Sequence, residues 1–350
     1  MIRQLLVAFA SALFGCHANL AVTVVDSPFG LDKFVPSTTC VAPDPSSLPP
    51  RLSETGCVDH LHPAVVAEEL LPFELNVPSW NGGAQKSGWF TLPEGRQISV
   101  NGGQLQFPPG TVLMMNLLVD GKSLETQFYS ASNTGEWFGY TYAWRADGSD
   151  ADLVPADGGL FTIGAISWPI LSRDTCIQCH NDANGNAPGM EFGQLNRAVI
   201  FASERRSNQL ATLDHLGLLA PALTASPDTL PVYVADDGNA AIDIRARDYL
   251  HANCANCHRP NSSSEFLDLR ASTPLGSTQL CGIAATRSFA QFPGALRLSP
   301  GFPLESLTTL RMRSSDQNVH MPLPNVGALT IDTDGVAVVE QWIGSISSCN

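Results

Sequence analysis

Nine cysteines constrain this chain of 350 residues more than any other feature of its sequence. They are too many for incidental use in a hydrophobic core and too few for a small protein held together by disulfides. An odd number means that at least one cysteine does something other than pair within the chain. Four of them belong to two copies of one motif, and five lie apart from it: Cys16, Cys40, Cys57, Cys281 and Cys349.

The repeated motif is Cys-x-x-Cys-His. Its copies comprise Cys176, Cys179 and His180, and then Cys254, Cys257 and His258. In this spacing, one turn of backbone can place two thiols below the vinyl groups of a haem, and the next imidazole turns towards the iron. The motif therefore predicts two covalently attached haem c groups, with His180 and His258 as iron ligands.

Other uses of this spacing fit less well. A zinc site of this type places two Cys-x-x-Cys pairs about 15–20 residues apart, whereas these motifs begin at residues 176 and 254, 78 residues apart. A thioredoxin-like redox pair uses one Cys-x-x-Cys within a βαβ pattern, which the sequence lacks.

The N-terminus predicts export. Residues 1–15 combine a short positive start with an apolar run that is shorter than the roughly 20 residues of a transmembrane helix. Residues 13–16 read Leu-Phe-Gly-Cys, which resembles a lipobox and predicts a lipid anchor at Cys16; cleavage after Ala18 or Ala21 is the alternative. We expect an oxidising location, either periplasmic or at the outer membrane or cell surface, with membrane contact only through that anchor.

The charge balance excludes one class of partner. The chain has 33 acidic and 19 basic residues, a formal charge of −14. Binding nucleic acid requires clustered basic residues, and a polybasic membrane patch requires more lysines than the three present. The acidity favours a basic redox partner protein.

Composition and patterning divide the chain into segments. Residues 16–78 form a Pro- and Ser-rich extended lead-in with one possible helix near 63–70. Residues 79–165 alternate short β-favouring runs with glycine turns, which predicts an antiparallel β-sandwich-like domain with its aromatic residues in the core. Its predicted strands are 87–92, 96–100, 104–107, 111–118, 124–131 and 137–145. Residues 166–235 are interpreted as a first haem unit and 236–350 as a second domain, both mainly α-helical, with helices at 194–213, 241–253 and 336–346. The fold class is therefore α+β.

The last segment resembles a class I cytochrome c domain. Apolar residues recur with helical spacing on both sides of the second motif: Ile242, Ala246, Tyr249 and Leu250, and Val339, Trp342, Ile343 and Ile346. The resemblance covers about 240–350 and implies that His258 and Met321 are the two axial ligands. His320 and Met312 are alternatives to Met321.

The second ligand of the first haem is less well defined. Met190 follows His180 by ten residues, which can span about 33 Å and so reach around a haem edge. The competing ligands are His215, Met115, His60 and His62, and an open iron position is a further alternative.

The chain also resembles a family of bacterial two-haem c-type cytochromes of uncertain function. The resemblance covers about 70–350 and rests on residues 107–113 (FPPGTVL), 140–144 (YTYAW), 168–169 (WP), 172–173 (SR), 194–197 (QLNR) and 245–251 (RARDYLH). It implies one β-rich domain followed by two haem units, and it implies no substrate.

The remaining four cysteines allow three disulfide pairings. We expect Cys40 with Cys57 and Cys281 with Cys349, because each bond then stays within one segment.

Taken together, these features predict an exported di-haem cytochrome that transfers single electrons between periplasmic or cell-surface partners. Two alternatives remain: a haem enzyme, either peroxidase-like or the electron-accepting subunit of a dehydrogenase, and a ligand-binding β domain coupled to haems.

Overall fold

The computed structural model describes residues 24–235, 238–262, 264, 266–286, 289–323 and 330–349. The predicted export signal at residues 1–15 and the predicted lipidation site Cys16 lie outside these residues. Within them the fold is α+β. Its strands are β1 (Val25–Asp26), β2 (Leu71–Phe73), β3 (Gln85–Thr91), β4 (Ile98–Asn101), β5 (Gln104–Gln106), β6 (Val112–Val119), β7 (Lys122–Ala131), β8 (Trp137–Trp144), β9 (Ala151–Leu153), β10 (Gly159–Ile163), β11 (Ile166–Ile170), β12 (Ala198–Ile200), β13 (Arg205–Asn208) and β14 (Leu219–Ala220). Its helices are α1 (Arg173–Cys179), α2 (Phe192–Leu195), α3 (Gln209–His215), α4 (Ile242–Cys254), α5 (Leu307–Met312) and α6 (Thr333–Ser345).

A six-stranded antiparallel sheet organises the first half of the chain, in the order β2-β3-β6-β7-β8-β9. Its longest hairpin, β6–β7, turns at Asp120 and Gly121, which both have positive φ values, 50° and 74°. Two such residues make the type I′ turn whose twist matches paired strands. The strand positions predicted from the glycine turns are confirmed. A β-sandwich was expected for this domain. The structure instead has a single large sheet accompanied by smaller ones.

Both faces of this sheet are buried. Because successive side chains point to opposite faces, Leu113 and Tyr129 join one apolar cluster, whereas Met114 and Phe128 join another. The second cluster includes the disulfide-bonded lead-in and most of the aromatic side chains of β8, among them Tyr142, which is fully buried. Burial on two faces explains why β6 is almost continuously apolar.

Two of the three smaller sheets connect distant parts of the chain. Strand β1 pairs in parallel with β13, and β14 pairs in parallel with β4. These pairs belong to the three-stranded sheets β1-β13-β12 and β14-β4-β5. Strands β10 and β11 form a separate hairpin. The apolar cluster on one face of the large sheet therefore draws residues from both 79–165 and 166–235.

Helices α4 and α6 pack against each other in the last segment. A Cβ atom on Gly335 would lie 2.2 Å from the Tyr249 ring, so the contact requires glycine. Asp332 caps α6 by accepting from the Gly335 N–H at 3.0 Å, and it also accepts from the Tyr249 hydroxyl at 3.1 Å.

The expectation of mainly helical segments after residue 165 is wrong. The predicted helix at 194–213 is instead the end of α2, strands β12 and β13, and α3. The side chain of Asn208 accepts from the Ala211 N–H at 3.2 Å and caps the start of α3. The described residues at 63–70 form no helix, and those described between 255 and 302 are mostly turns and loops.

Both expected disulfides are present, Cys40–Cys57 and Cys281–Cys349. They indicate an oxidising, extracytoplasmic environment. None of the helices in the described ranges is long and apolar enough to cross a membrane.

Candidate functional site

The first Cys-x-x-Cys-His segment lies on the large sheet. Helix α1 carries Cys176 and Cys179 and packs against β8. On β8, Gly139 faces the first thiol so closely that a Cβ there would lie 2.6 Å from Cys176 Sγ. The absence of a side chain at Gly139 thus sets the distance between helix and sheet.

His180 follows the helix and is held by an aromatic wall. Its ring lies 4.0 Å from that of Tyr129, centroid to centroid, and the Tyr129 hydroxyl donates to the His180 carbonyl at 3.2 Å. His180 Nδ1 lies 3.0 Å from the carbonyl oxygen of Asn186, which can only accept, so Nδ1 carries the proton. Burial lowers the pKa of His180 to about 4, and the bond to Asn186 opposes this shift only in part. The ring is therefore neutral at pH 7.

The second segment begins at the end of α4. Cys254 is the last residue of that helix, and the His258 N–H donates to the Cys254 carbonyl at 2.9 Å. Burial lowers the pKa of His258 to about 4, with a small opposing effect from the backbone of Ser264. This imidazole is also neutral at pH 7.

The two segments meet although 78 residues separate them in sequence. The Cys179 and Cys257 thiols are neighbours, close enough that Cys257 raises the pKa of Cys179. Cys257 Sγ also lies 3.8 Å from the carbonyl oxygen of Gln178. Arg259 strengthens the junction, because its Nη1 donates at 3.3 Å to the carbonyl of Ala183, just after the first segment.

The four thiols of these segments lie outside the disulfides and are each partly buried. The hydrogen bond to Cys257, followed by burial, raises the pKa of Cys179. Burial raises the pKa of Cys254 to about 12, and burial with the nearby charge of Glu125 raises that of Cys176. Cys176, Cys179 and Cys254 are therefore protonated at neutral pH.

An apolar cavity of about 380 Å³ lies beside the second segment. Cys254, Cys257, His258 and Met321 line it, together with His320 and a wall of mostly apolar side chains. His320 is 3% exposed. Its Nδ1 lies 2.7 Å from the carbonyl of Ser314, which fixes the proton there, and its buried Nε2 has no hydrogen-bond partner. The residues predicted around the second motif thus share one space.

A buried polar cluster between the two segments was missed in the sequence. His251 Nε2 lies 2.6 Å from Glu191 Oε1, and the side chains are 5% and 15% exposed. His251 Nδ1 accepts from the Ala271 N–H at 3.1 Å, so Nε2 must carry the proton that is donated to Glu191. Tyr233 donates to the other oxygen of Glu191 at 3.3 Å. No spacing rule links residues 60 positions apart, so only the fold shows this pair.

The other candidate ligands are dispersed. Met190 is buried in the apolar cluster beside β5, while Met115 is partly buried between two clusters. His215 stacks on Phe29 with ring centroids 3.8 Å apart. Two more, His60 and His62, are exposed in the lead-in, and Met312 lines the cavity of the second segment.

Comparison with models of protein families, with curated proteins and with solved structures gives no match. Within the described ranges, no three or more His, Cys, Asp or Glu side chains form a group that could hold a metal ion. These findings overturn the assignment to a two-haem cytochrome family and the prediction of two covalently attached haem c groups. The haem prediction assigned Cys179 and Cys257 to two separate haem groups, whereas in the fold these two thiols contact each other.

Proposed function

We propose that this chain is an exported redox protein that exchanges electrons with partner proteins in the periplasm or at the cell surface. The exchange takes place where the two Cys-x-x-Cys-His segments meet. A lipid anchor at Cys16 would hold the protein at a membrane surface.

The contact between Cys179 and Cys257 carries this proposal. Four of the described cysteines form disulfides and four are thiols. Of these thiols, Cys179 and Cys257 are neighbours although they belong to two separate segments. Thiols in contact, in an oxidising compartment, are the protein's own means of storing and releasing electrons.

The reaction is a thiol–disulfide exchange. Cys179 and Cys257 lose their S–H hydrogens and form one S–S bond. Two electrons and two protons pass to a disulfide of the partner protein, which becomes two thiols. Because the raised pKa of Cys179 disfavours its thiolate, the exchange is slow at neutral pH and accelerates as the pH rises.

The acidic charge of the chain supports a basic partner. A formal charge of −14 attracts a basic protein before the two surfaces touch, and it raises the rate at which the two proteins associate. We expect the rate of electron exchange with a basic partner to fall as the ionic strength rises.

The test is a redox titration of the purified protein, combined with thiol counting and intact-mass measurement. We expect a two-electron couple that Cys179→Ser and Cys257→Ser abolish. Cys176→Ser is the matched control, because this thiol lies on the same helix, and the couple should survive the substitution.

Three results would contradict the proposal. Absence of any redox couple would refute the electron-exchange function. A couple that survives Cys179→Ser would refute the role of the thiol pair. Thiols that cannot be alkylated even in the unfolded protein, with a mass above that of the chain, would show that the cysteines carry an attached group and would refute the exchange reaction.

A further inference from the structure

A second cavity shares Trp80, Tyr249 and Asp332 with the wall of the first. Its volume is about 450 Å³, within the range of small-molecule pockets. Strands β2 and β3 and the chain between them form most of its wall, and the start of α6 closes another side. Phe73, Val77 and Met115 provide apolar surface, and the Lys86 side chain lines it as well. We call this space the Lys86 cavity.

The Lys86 amine is held in a defined position. Its Nζ donates to the carbonyl oxygen of Ser79 at 2.7 Å and to the Ser79 hydroxyl at 2.9 Å. An ammonium group has three hydrogens, so these two bonds leave one for another acceptor. Burial lowers the pKa of Lys86 to about 8, and the charge of Glu125 opposes this shift.

Glu125 lies in the same sheet as Lys86, two strands away. Both residues are register partners of Leu117, on the two strands that flank β6. Trp168 donates to Glu125 Oε1 at 3.2 Å, while the buried Oε2 has no hydrogen-bond partner. Burial raises the pKa of Glu125 to about 7. A buried amine and a buried carboxyl of this kind, next to a cavity, are typical of a reactive site.

The other charged groups at the cavity define its ligand. Arg197 is paired with Glu74 at 2.8 Å, and Asp332 and Asp334 lie at the start of α6. Since three carboxylates face two cations, an anionic ligand is disfavoured. The apolar wall favours an uncharged molecule with an apolar body.

We propose that Lys86 captures an uncharged, apolar aldehyde in this cavity as a Schiff base. The Nζ lone pair attacks the carbonyl carbon, a C–N bond forms, and the carbonyl oxygen becomes a hydroxyl group. That hydroxyl leaves as water, and a C=N bond remains. The amine and the aldehyde supply all the atoms, and no oxidant or reductant is needed. A desolvated lysine is the usual nucleophile for this step.

The expected selectivity follows from the amount of neutral amine. At pH 7 roughly a tenth of an amine with a pKa of about 8 is neutral, a few hundred-fold more than for an ordinary lysine. Restricted access and lower intrinsic nucleophilicity offset part of this gain. We therefore expect Lys86 to react about tenfold faster than an exposed lysine.

The chain contains its own controls, because its other two lysines, Lys33 and Lys122, are exposed. The folded protein is incubated at pH 7 with benzaldehyde and cyanoborohydride, and the products are mapped by peptide mass spectrometry. We expect modification of Lys86 to be faster and to saturate with aldehyde concentration, whereas modification of Lys33 and Lys122 rises linearly. Labelling of Lys86 no faster than that of both exposed lysines would overturn the proposal.

Two variants test the contributions of the amine and of the cavity separately. Glu125→Gln removes the charge that favours the protonated amine, so the pH profile of Lys86 labelling should move to lower pH. Met115→Phe narrows the cavity and should slow labelling of Lys86 while leaving Lys33 unchanged, with circular dichroism confirming the fold. An unchanged Lys86 rate in folded Met115→Phe would refute binding in the cavity.

Discussion

The hydrogen bond between His251 and Glu191 predicts a large loss of stability when its acceptor is removed. In Glu191→Ala, the Nε2–H of His251 keeps its buried position and loses its partner, while Ala271 still holds Nδ1. His251 cannot relieve this by changing tautomer, because a proton on Nδ1 would face the Ala271 N–H. Glu191→Gln is the matched variant, since its amide oxygen can still accept.

The magnitude follows from the burial of the pair. A hydrogen bond to a charged group contributes about 1.5–3 kcal/mol, and a buried donor without a partner costs about 1–3 kcal/mol. With side chains only 5% and 15% exposed, we expect Glu191→Ala to lower the free energy of unfolding by about 3 kcal/mol. Glu191→Gln should cost about 1 kcal/mol, because only the charge is lost.

The dependence on pH has a definite sign. Burial alone would raise the pKa of Glu191. The hydrogen bond and charge of His251, together with Arg259 and Tyr233, outweigh burial, so the net pKa of Glu191 is below the usual value. The carboxylate therefore contributes stability above its unfolded pKa of about 4.3, and this contribution is lost as the pH falls through the lower folded pKa. The difference between wild type and Glu191→Gln should shrink below about pH 4.

The assay is urea unfolding of both variants, followed by tryptophan fluorescence, with a double-mutant cycle that adds His251→Ala. We expect a coupling energy of about 2 kcal/mol between the two positions. A destabilisation of Glu191→Ala below about 0.5 kcal/mol, or strict additivity in the cycle, would refute the tautomer and the bond inferred from it.

Three further outcomes follow from the packing. Cys349→Ser opens the 68-residue disulfide loop and should cost about 4 kcal/mol in urea unfolding, whereas a cost below about 1 kcal/mol would mean that the loop is constrained by other contacts. Gly139→Ala places a methyl group 2.6 Å from Cys176 Sγ, so near-ultraviolet circular dichroism should report a displaced α1; an unchanged spectrum and stability would contradict that close contact. Gly335→Ala forces α6 away from the Tyr249 ring and should cost about 3 kcal/mol or more, checked by thermal unfolding, and wild-type stability would disprove the packing described for α4 and α6.

The sequence predicted elements where its local signals were strong. Glycine turns placed the strands of the large sheet, and helical periodicity placed α4 and α6 within a few residues. The disulfides followed from keeping each pair within one segment. The helix expected at 194–213 failed because residues 198–200 and 205–208 pair as strands, and Asn208 caps a new helix after them. Apolar periodicity does not register such pairing.

The candidate site was harder to predict because its contacts are long-range. A Cys-x-x-Cys-His spacing describes five consecutive residues and says nothing about what their side chains contact in the fold. The haem interpretation extended that local pattern to a cofactor, and it gave no indication that Cys179 would meet Cys257. Glu191 and Lys86 are single polar residues without a motif, so their importance comes only from burial and neighbours.

Strand β1 has a consequence for the order in which the chain can assemble. It pairs residues 25–26 with residues 205–206, so the N-terminal end finds its partner only after more than half of the chain has been synthesised. Strand β4 similarly waits for residues 219–220. During vectorial emergence from the ribosome or through a translocon, both edges stay unpaired and available to other chains. The sheets β1-β13-β12 and β14-β4-β5 are therefore completed only when nearly two thirds of the chain is available.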